Sequence, residues 1–316
     1  MSYNLLVLES SFLGEFMLIT QPARPFLKWA GGKSQLLPIL RQYYPVELGK
    51  TVTRYIEPFI GGGAVFFDVL NNYEIEYAYI SDVNLELINT YNAIKYKCSD
   101  LVEYLAQMEA KYSQLDLLAR KKIYYDKRDE FNSIKLVSDR LIDLRKAGLF
   151  IFLNKTCFNG LYRVNRSGQF NVPMGDNSKP IICDHINLHT ISTLLSRVEI
   201  VHGNYKQCES FANNHTFMYI DPPYRPISVS SSFTAYTHEI FDDDSQRELA
   251  NFITQMSNRG VYIMSSNSDP QNTDPNDTFF DELYGAFKVN RILASRMINS
   301  RSSGRGKLSE VLVTTY

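Results

Sequence analysis

Cysteine is scarce and scattered. Four occur in 316 residues, Cys98, Cys157, Cys183 and Cys208, and no two share the spacing of a zinc or redox pair. A reducing compartment is therefore expected, and a structural zinc is not. The five histidines form no ligand pair of recognised spacing either, so no metal site is expected. Charge of one sign is also missing. The 33 basic and 34 acidic residues leave a net charge of −1, which removes any whole-molecule field that would draw in an acidic partner. Long hydrophobic runs are lacking as well. The stretch NLLVLESSFLGEFMLIT, residues 4–20, is broken by Glu9 and Glu15 and has no basic leader, so it suits neither a membrane span nor a signal peptide. Residues 1–24 read instead as an N-terminal extension forming a short added strand or helix, with Met17 as an alternative start. Together these absences point to a cytoplasmic protein. No internal repeat or low-complexity tract appears.

What is present is enough apolar residue for a large core, 44% of the chain. From residue 54 the text alternates strand, glycine turn, helix, strand, helix: RYIEP, FIGGG, AVFFDVLNN, YAYIS, NLELINTYNAIK. That alternation predicts a parallel sheet covered by helices. Residues 99–195 differ, being helical and charged and then rich in Asn, Gly and Arg over 154–177. The sheet pattern returns after 198 in VEIVHG, TFMYIDPPY, GVYIMSSN and EVLVTTY. The reading is an α/β, doubly wound domain (residues 25–98 and 196–316) interrupted by an inserted, mainly helical recognition domain (99–195). Two basic islands stand out within the balanced chain. One comprises Arg140, Arg145, Lys146, Lys155, Arg163 and Arg166, and the other Arg291, Arg296, Arg301, Arg305 and Lys307. Such islands can grip a polyanion locally, although a solvated surface would read the same way.

Three motifs carry chemistry. PFLKWAGGKSQLL, residues 25–37, ends like a phosphate-binding loop. The glycine such a loop needs five places before its second glycine is Leu27, however, and Trp29 sits inside, so ATP is not the ligand. In YIEPFIGGGAVFF a short strand runs into Gly61, Gly62 and Gly63 and then a helix, so backbone can approach a ligand closely at a helix N-terminus. Asp82, about twenty residues on at the end of the next strand, suits the ribose hydroxyls of an adenosine cofactor. Its plainer role, capping the following helix, is already offered by Asn84. No arginine or Walker lysine stands at the turn to meet a pyrophosphate, and S-adenosyl-L-methionine fits best. TFMYIDPPYRP ends a buried strand in Asp221, followed by Pro222, Pro223 and Tyr224. The lone pair of an exocyclic amine is delocalised into its ring. Two acceptors aimed at its hydrogens, the Asp221 carboxylate and the Pro222 carbonyl, would free that pair for attack on a methyl group. The prolines stiffen the turn, and Tyr224 offers a ring for stacking on the base. No Pro-Cys pair exists, which argues against methylation at a cytosine ring carbon.

The blocks FLKWAGGK, EPFIGGGAVFF, SDVNLELIN, FLNKTCFNGLYRVNRSGQFNVPMG, DPPY and INSRSSGRGKLSEVLVT, in that order, resemble Dam-like class alpha DNA adenine-N6 methyltransferases from residue 25 to the end. The similarity is greatest to members that methylate GATC, including those paired with restriction endonucleases. The resemblance implies a Rossmann-like methyltransferase sheet, methylation of a flipped adenine in double-stranded DNA, and a bacterial or phage origin. A functionally paired restriction endonuclease would be a further partner. On matching positions, it implies that Trp29 and Lys33 contact the cofactor. Glu57, Phe59, Gly61 and Gly63 would line its methionine end, with Asp82 on the ribose and Asp221 near the sulfonium. Lys28 matches a lysine that touches a guanine, and Phe158 an aromatic that wedges beside the flipped adenine. Asn159 and Leu161 lie in the same loop, Arg163 matches an arginine that reads a guanine edge, and Arg301 and Arg305 fall to DNA binding. The block before DPPY departs from the pattern, offering Asn204 and Tyr205 where an acid usually accepts from the cofactor's adenine amine. Residues 1–24 have no counterpart. Rival readings are methylation of RNA adenine or of a protein glutamine, and a catalytically silent DNA-binding relative. A metal-dependent nuclease using Asp242 to Asp244 is remoter, because those acids look like a helix start.

Overall fold

The computed structural model describes residues 21–137, 142–225, 241–295 and 307–316. Seven strands form one sheet in the order β3-β2-β1-β4-β5-β7-β6. They are β1 (Arg54–Glu57), β2 (Tyr77–Asp82), β3 (Val198–His202), β4 (Thr216–Ile220), β5 (Tyr262–Ser268), β6 (Lys288–Ser295) and β7 (Lys307–Thr314). The first five run parallel, and β7 is antiparallel to both β5 and β6. Strand order reverses between β1 and β4, which is where doubly wound sheets open a crevice at their carboxyl edge. The expected α/β class holds. Strand β6 is an addition, because its polar alternation over KVNRILAS does not declare itself.

Strand alternation divides the core between the two faces of the sheet. Tyr55, Ile80, Phe217, Tyr219 and Met264 pack on one face, and Ile56, Tyr79, Met218, Ile220 and Ile263 on the other. Each fully buried aromatic contributes about 1.5–3 kcal/mol of burial free energy.

Helices α1 (Leu37–Leu40), α2 (Ala64–Asn72) and α3 (Leu85–Tyr96) belong to the first half of the sheet, and α3 begins at Asn84, whose side chain accepts from the Leu87 N–H. The predicted helical region contains α4 (Cys98–Ser113), α5 (Leu117–Ser133), α6 (Leu144–Thr156) and α7 (His185–Leu195). Its apolar side chains, among them Leu149, Phe150 and Phe152, continue the first core without a break. Two further helices, α8 (Asp243–Asn258) and α9 (Phe279–Leu283), complete the described set. Asp242 caps α8 and Asp243 and Asp244 fill its first turn, as the acidic run suggested.

Candidate active site

Strand β1 ends in Glu57, and residues 58–63 turn the chain into α2. Gly61 and Gly63 adopt left-handed φ values of 45° and 70°. A Cβ at Gly63 would lie 2.7 Å from the Tyr91 hydroxyl, and one at Gly61 2.7 Å from Cδ1 of Trp29, so both positions require glycine. Asp82, at the tip of neighbouring β2, holds this turn. Its carboxylate accepts from the Gly61 N–H at 3.1 Å and from the Asn84 N–H at 2.9 Å. Burial raises its pKa against the pull of those two amides.

Strand β4 lies beside β1 and delivers Asp221 next to that turn. Period two puts Glu57, Asp221 and Ser266 on the face that carries Tyr55, Tyr219 and Met264. The Ser266 hydroxyl donates to Oδ1 of Asp221 at 2.8 Å, and the Tyr219 hydroxyl lies 2.9 Å from Ser266 Oγ, which leaves Tyr219 as the donor there. Oδ2 accepts from Lys33 Nζ at 2.7 Å in an ion pair whose lysine is almost wholly buried. Glu57 is also buried and accepts from the Tyr55 hydroxyl at 2.5 Å. Desolvation holds its carboxyl well above the usual range; the Tyr55 bond opposes the shift and the Asp221 charge adds to it.

The turn after Asp221 is anchored by residues that the motif alone does not announce. Gln246, fully buried in α8, donates to the Pro223 carbonyl at 3.2 Å. The Tyr224 hydroxyl donates to Glu310 at 3.0 Å. The Arg225 guanidinium forks onto Asp243 at 2.6 and 3.0 Å and reaches Asp277 at 2.7 Å. Sequence reading missed Ser266, Gln246 and Arg225. Only Ser266 left a signal: strand alternation and the pairing of Tyr219 with Met264 place it opposite Asp221.

The phosphate-loop lookalike is a strap across the site. Gly31 takes a left-handed turn, with the Gly32 N–H donating to the Trp29 carbonyl at 3.2 Å, and the helix that follows, α1, is a single turn. At one end the Lys28 side chain lies over Gly160, where a Cβ would meet its Cδ at 2.5 Å. In the middle Trp29 covers Gly61 and Gly62 and stacks on Tyr162 at 5.4 Å and 18°. At the other end Lys33 pairs with Asp221 and sits 4.9 Å from the centre of the Tyr224 ring. Three motifs distant in sequence therefore meet along six residues.

On the far side of the strap, Phe158 is 49% exposed although aromatic, and Asn159 holds a positive φ of 56°. Leu161 is half-buried and Arg163 is exposed, its Nε donating to Asn171 Oδ1 at 2.9 Å. At the end of β3, exposed Asn204 uses its side-chain oxygen to accept from the Lys206 N–H at 3.0 Å. Buried Tyr205 stacks on Phe59 at 5.5 Å. Burial, with Glu248 adding, pushes the Tyr205 hydroxyl up to about 12, yet it has no hydrogen-bond partner among the described residues.

The basic islands shrink on inspection. Lys146 is buried and donates to the carbonyls of Phe131 and Ile134 at 2.7 and 3.1 Å. Arg145 pairs with Glu130, and Arg291 with Asp269 and Asp281. Lys146 is thus committed to the interior, whereas Arg145 and Arg291 are paired with carboxylates at the surface and remain partly exposed. Arg140, Arg296, Arg301 and Arg305 lie outside the described residues, as do residues 1–20 of the extension read over 1–24. Among the described residues no group of three or more His, Cys, Asp or Glu could hold a metal ion, and no helix is long and apolar enough to cross a membrane.

Comparison with known proteins supplies the family. The family described as D12 class N6 adenine-specific DNA methyltransferase matches residues 29–298. The type II methyltransferase M.MjaIII of Methanocaldococcus jannaschii is 42% identical over 295 residues, covering 93% of this chain and 99% of its own. The type II methyltransferase M1.LlaDCHI of Lactococcus lactis is 36% identical, with coverages of 93% and 95%. A DNA adenine methylase of Vibrio cholerae is 32% identical, with coverages of 92% and 95%. The chain belongs to the D12 class of N6 adenine-specific DNA methyltransferases.

Proposed function

We propose that this enzyme takes its methyl group from S-adenosyl-L-methionine and places it on the N6 amine of an adenine extruded from duplex DNA, within GATC. The observation that carries the reading is the strap, which brings the glycine turn, the Asp221 carboxylate and the Phe158–Arg163 loop into one contact chain.

The residues present suit this cofactor. Gly61 and Gly63 keep side chains out of the β1 turn, and Asp82 stands at the next strand tip. The orphaned Tyr205 hydroxyl beside Phe59 suits a polar ligand group. Trp29, Glu57, Phe59, Asp82, Asn204 and Tyr205 would hold the cofactor, which supplies an electrophilic methyl on a sulfonium. Each oxygen of the Asp221 carboxylate accepts a second hydrogen bond, so the target amine can be gripped without displacing Lys33 or Ser266. Its other hydrogen goes to the Pro222 carbonyl. The Asp221 carboxylate is held by Ser266 and Lys33 before substrate arrives, and the prolines stiffen the turn that carries the second acceptor, an arrangement that favours developing charge on the amine. Lys28 and Arg163 would read guanine, arginine being suited to its O6 and N7 edge. Phe158 would fill the gap left by the flipped base, with Asn159 and Leu161 shaping the loop.

The test is tritiated methyl transfer to a duplex oligonucleotide containing GATC, alongside a duplex lacking it, an RNA of the same sequence and a glutamine peptide. Incorporation confined to the first duplex is expected. Equal transfer to all duplexes would overturn the GATC assignment, and transfer to RNA or peptide alone would overturn the substrate class.

A further inference from the structure

Several asparagines in this fold act as two-bond clamps, accepting from a backbone N–H and donating to the carbonyl of the same residue. Asn71 does so at Ala23, Asn187 at Arg24, Asn89 at Asp143 and Asn132 at Phe170. Asn154 differs from these. Buried near the end of α6, its Oδ1 accepts from the Lys28 N–H at 2.9 Å, and its Nδ2 donates both to the Lys28 carbonyl and to the Gly160 carbonyl, each at 2.9 Å. One amide therefore ties the strap to the loop after Phe158. Gly160 completes the fit, because its missing Cβ is the space through which the Lys28 chain passes.

We infer that Asn154 is a positioning residue for sequence discrimination: it fixes the distance between Lys28 and the Phe158–Gly160 loop, so that the two sample the same stretch of DNA as a rigid pair. This inference rests on the proposed reading role of Lys28. A purely structural clamp would cost stability and nothing else. A positioning clamp must in addition change which base pairs the enzyme tolerates, because Lys28 carries a long side chain whose aim depends on its backbone being held.

The experiment compares kcat/KM on a GATC duplex with kcat/KM on duplexes carrying each single base-pair exchange at the guanine positions. The proteins are the parent, Asn154→Ala, Gly160→Ala, Lys28→Ala and Asn187→Ala, with thermal unfolding recorded for all. Asn187→Ala is the matched control, since it breaks the same kind of clamp four residues away at Arg24. Asn154→Ala should lower discrimination at one guanine position by about 5–150-fold, the worth of one good base contact, and Lys28→Ala should lower it at the same position. Gly160→Ala, which crowds Lys28 and strains the left-handed backbone (φ 67°) whose carbonyl accepts from Asn154, loosens the same junction from the other side; it should reproduce the effect and serves as the test if Asn154→Ala does not fold. Asn187→Ala should lose stability with discrimination unchanged. Relaxation by Lys28→Ala with unchanged discrimination in both Asn154→Ala and Gly160→Ala would overturn the positioning role alone. Unchanged discrimination in Lys28→Ala would overturn the reading role beneath it, and this inference with it.

Discussion

Asp221 gathers its hydrogen bonds from two directions, and substitutions around it should separate chemistry from support. Asp221→Ala should reduce methyl transfer by at least about 10²–10³-fold, the usual cost of removing a preorganised polar group aimed at developing charge; single-turnover incorporation measures it. Ser266→Ala removes one of the bonds that aim the carboxylate and should lower kcat by about tenfold, equivalent to 1.4 kcal/mol, with little change in KM for DNA. Glu57 makes a pH prediction. Its folded-state pKa is raised by burial, so above the unfolded value the native state binds the extra proton and loses stability as pH rises towards the folded value. Glu57→Gln keeps an acceptor for Tyr55 but has no charge to bury. Its unfolding temperature should match the parent near pH 4 and exceed it at pH 8, by about 2–4 °C for each kcal/mol recovered. At this scale the sequence announced the acids and aromatics that sit in contiguous motifs. It could not announce Gln246 or Arg225, because their partners lie 23 and 52 residues away and ordinary helix and loop residues look the same without the fold.

The turn from β1 into α2 depends on left-handed backbone. Gly63→Ala should cost roughly 1–2 kcal/mol for the positive φ, plus the collision with Tyr91, and denaturant unfolding would show it. Gly61→Ala carries the same left-handed cost and meets Trp29 instead, so weaker cofactor affinity should accompany the loss of stability, which calorimetric titration would register. Elements with strong periodicity or caps were legible in advance: α2 begins and ends where AVFFDVLNN does, and Asn84 caps α3 as read. Strand β6 and helix α7 were not. Both carry polar residues at positions that face neighbours or solvent, so their local text resembles loop until the antiparallel partner or the packed face is known.

Across the whole molecule, charge balance conceals a small basic surface. With Lys146 buried and Arg145 and Arg291 already paired with carboxylates at the surface, DNA affinity should rest on fewer free cations than the two islands suggest. Arg166→Ala removes one exposed cation, and it should flatten the slope of log K against log salt by about 0.9 if that residue meets a phosphate, with site preference unchanged. Filter binding from 50 to 200 mM salt would decide. The doubly wound plan was readable from strand spacing because β4 buries both faces as a nearly apolar run, and β1, β2 and β5 carry short apolar stretches (YI, YAYI and YIM) ahead of polar tips. The strap was half readable: its mismatch with a phosphate loop was visible, whereas its path across the site was not, since it follows from contacts with residues 61, 160 and 221. That path acts as a ruler. Lys28 and Lys33 are held at opposite ends by fixed partners, so deleting Ala30 or inserting one residue there would put recognition and chemistry out of register even with every named side chain retained. Exchange of reading loops between relatives would therefore have to carry the matching ribbon along with them.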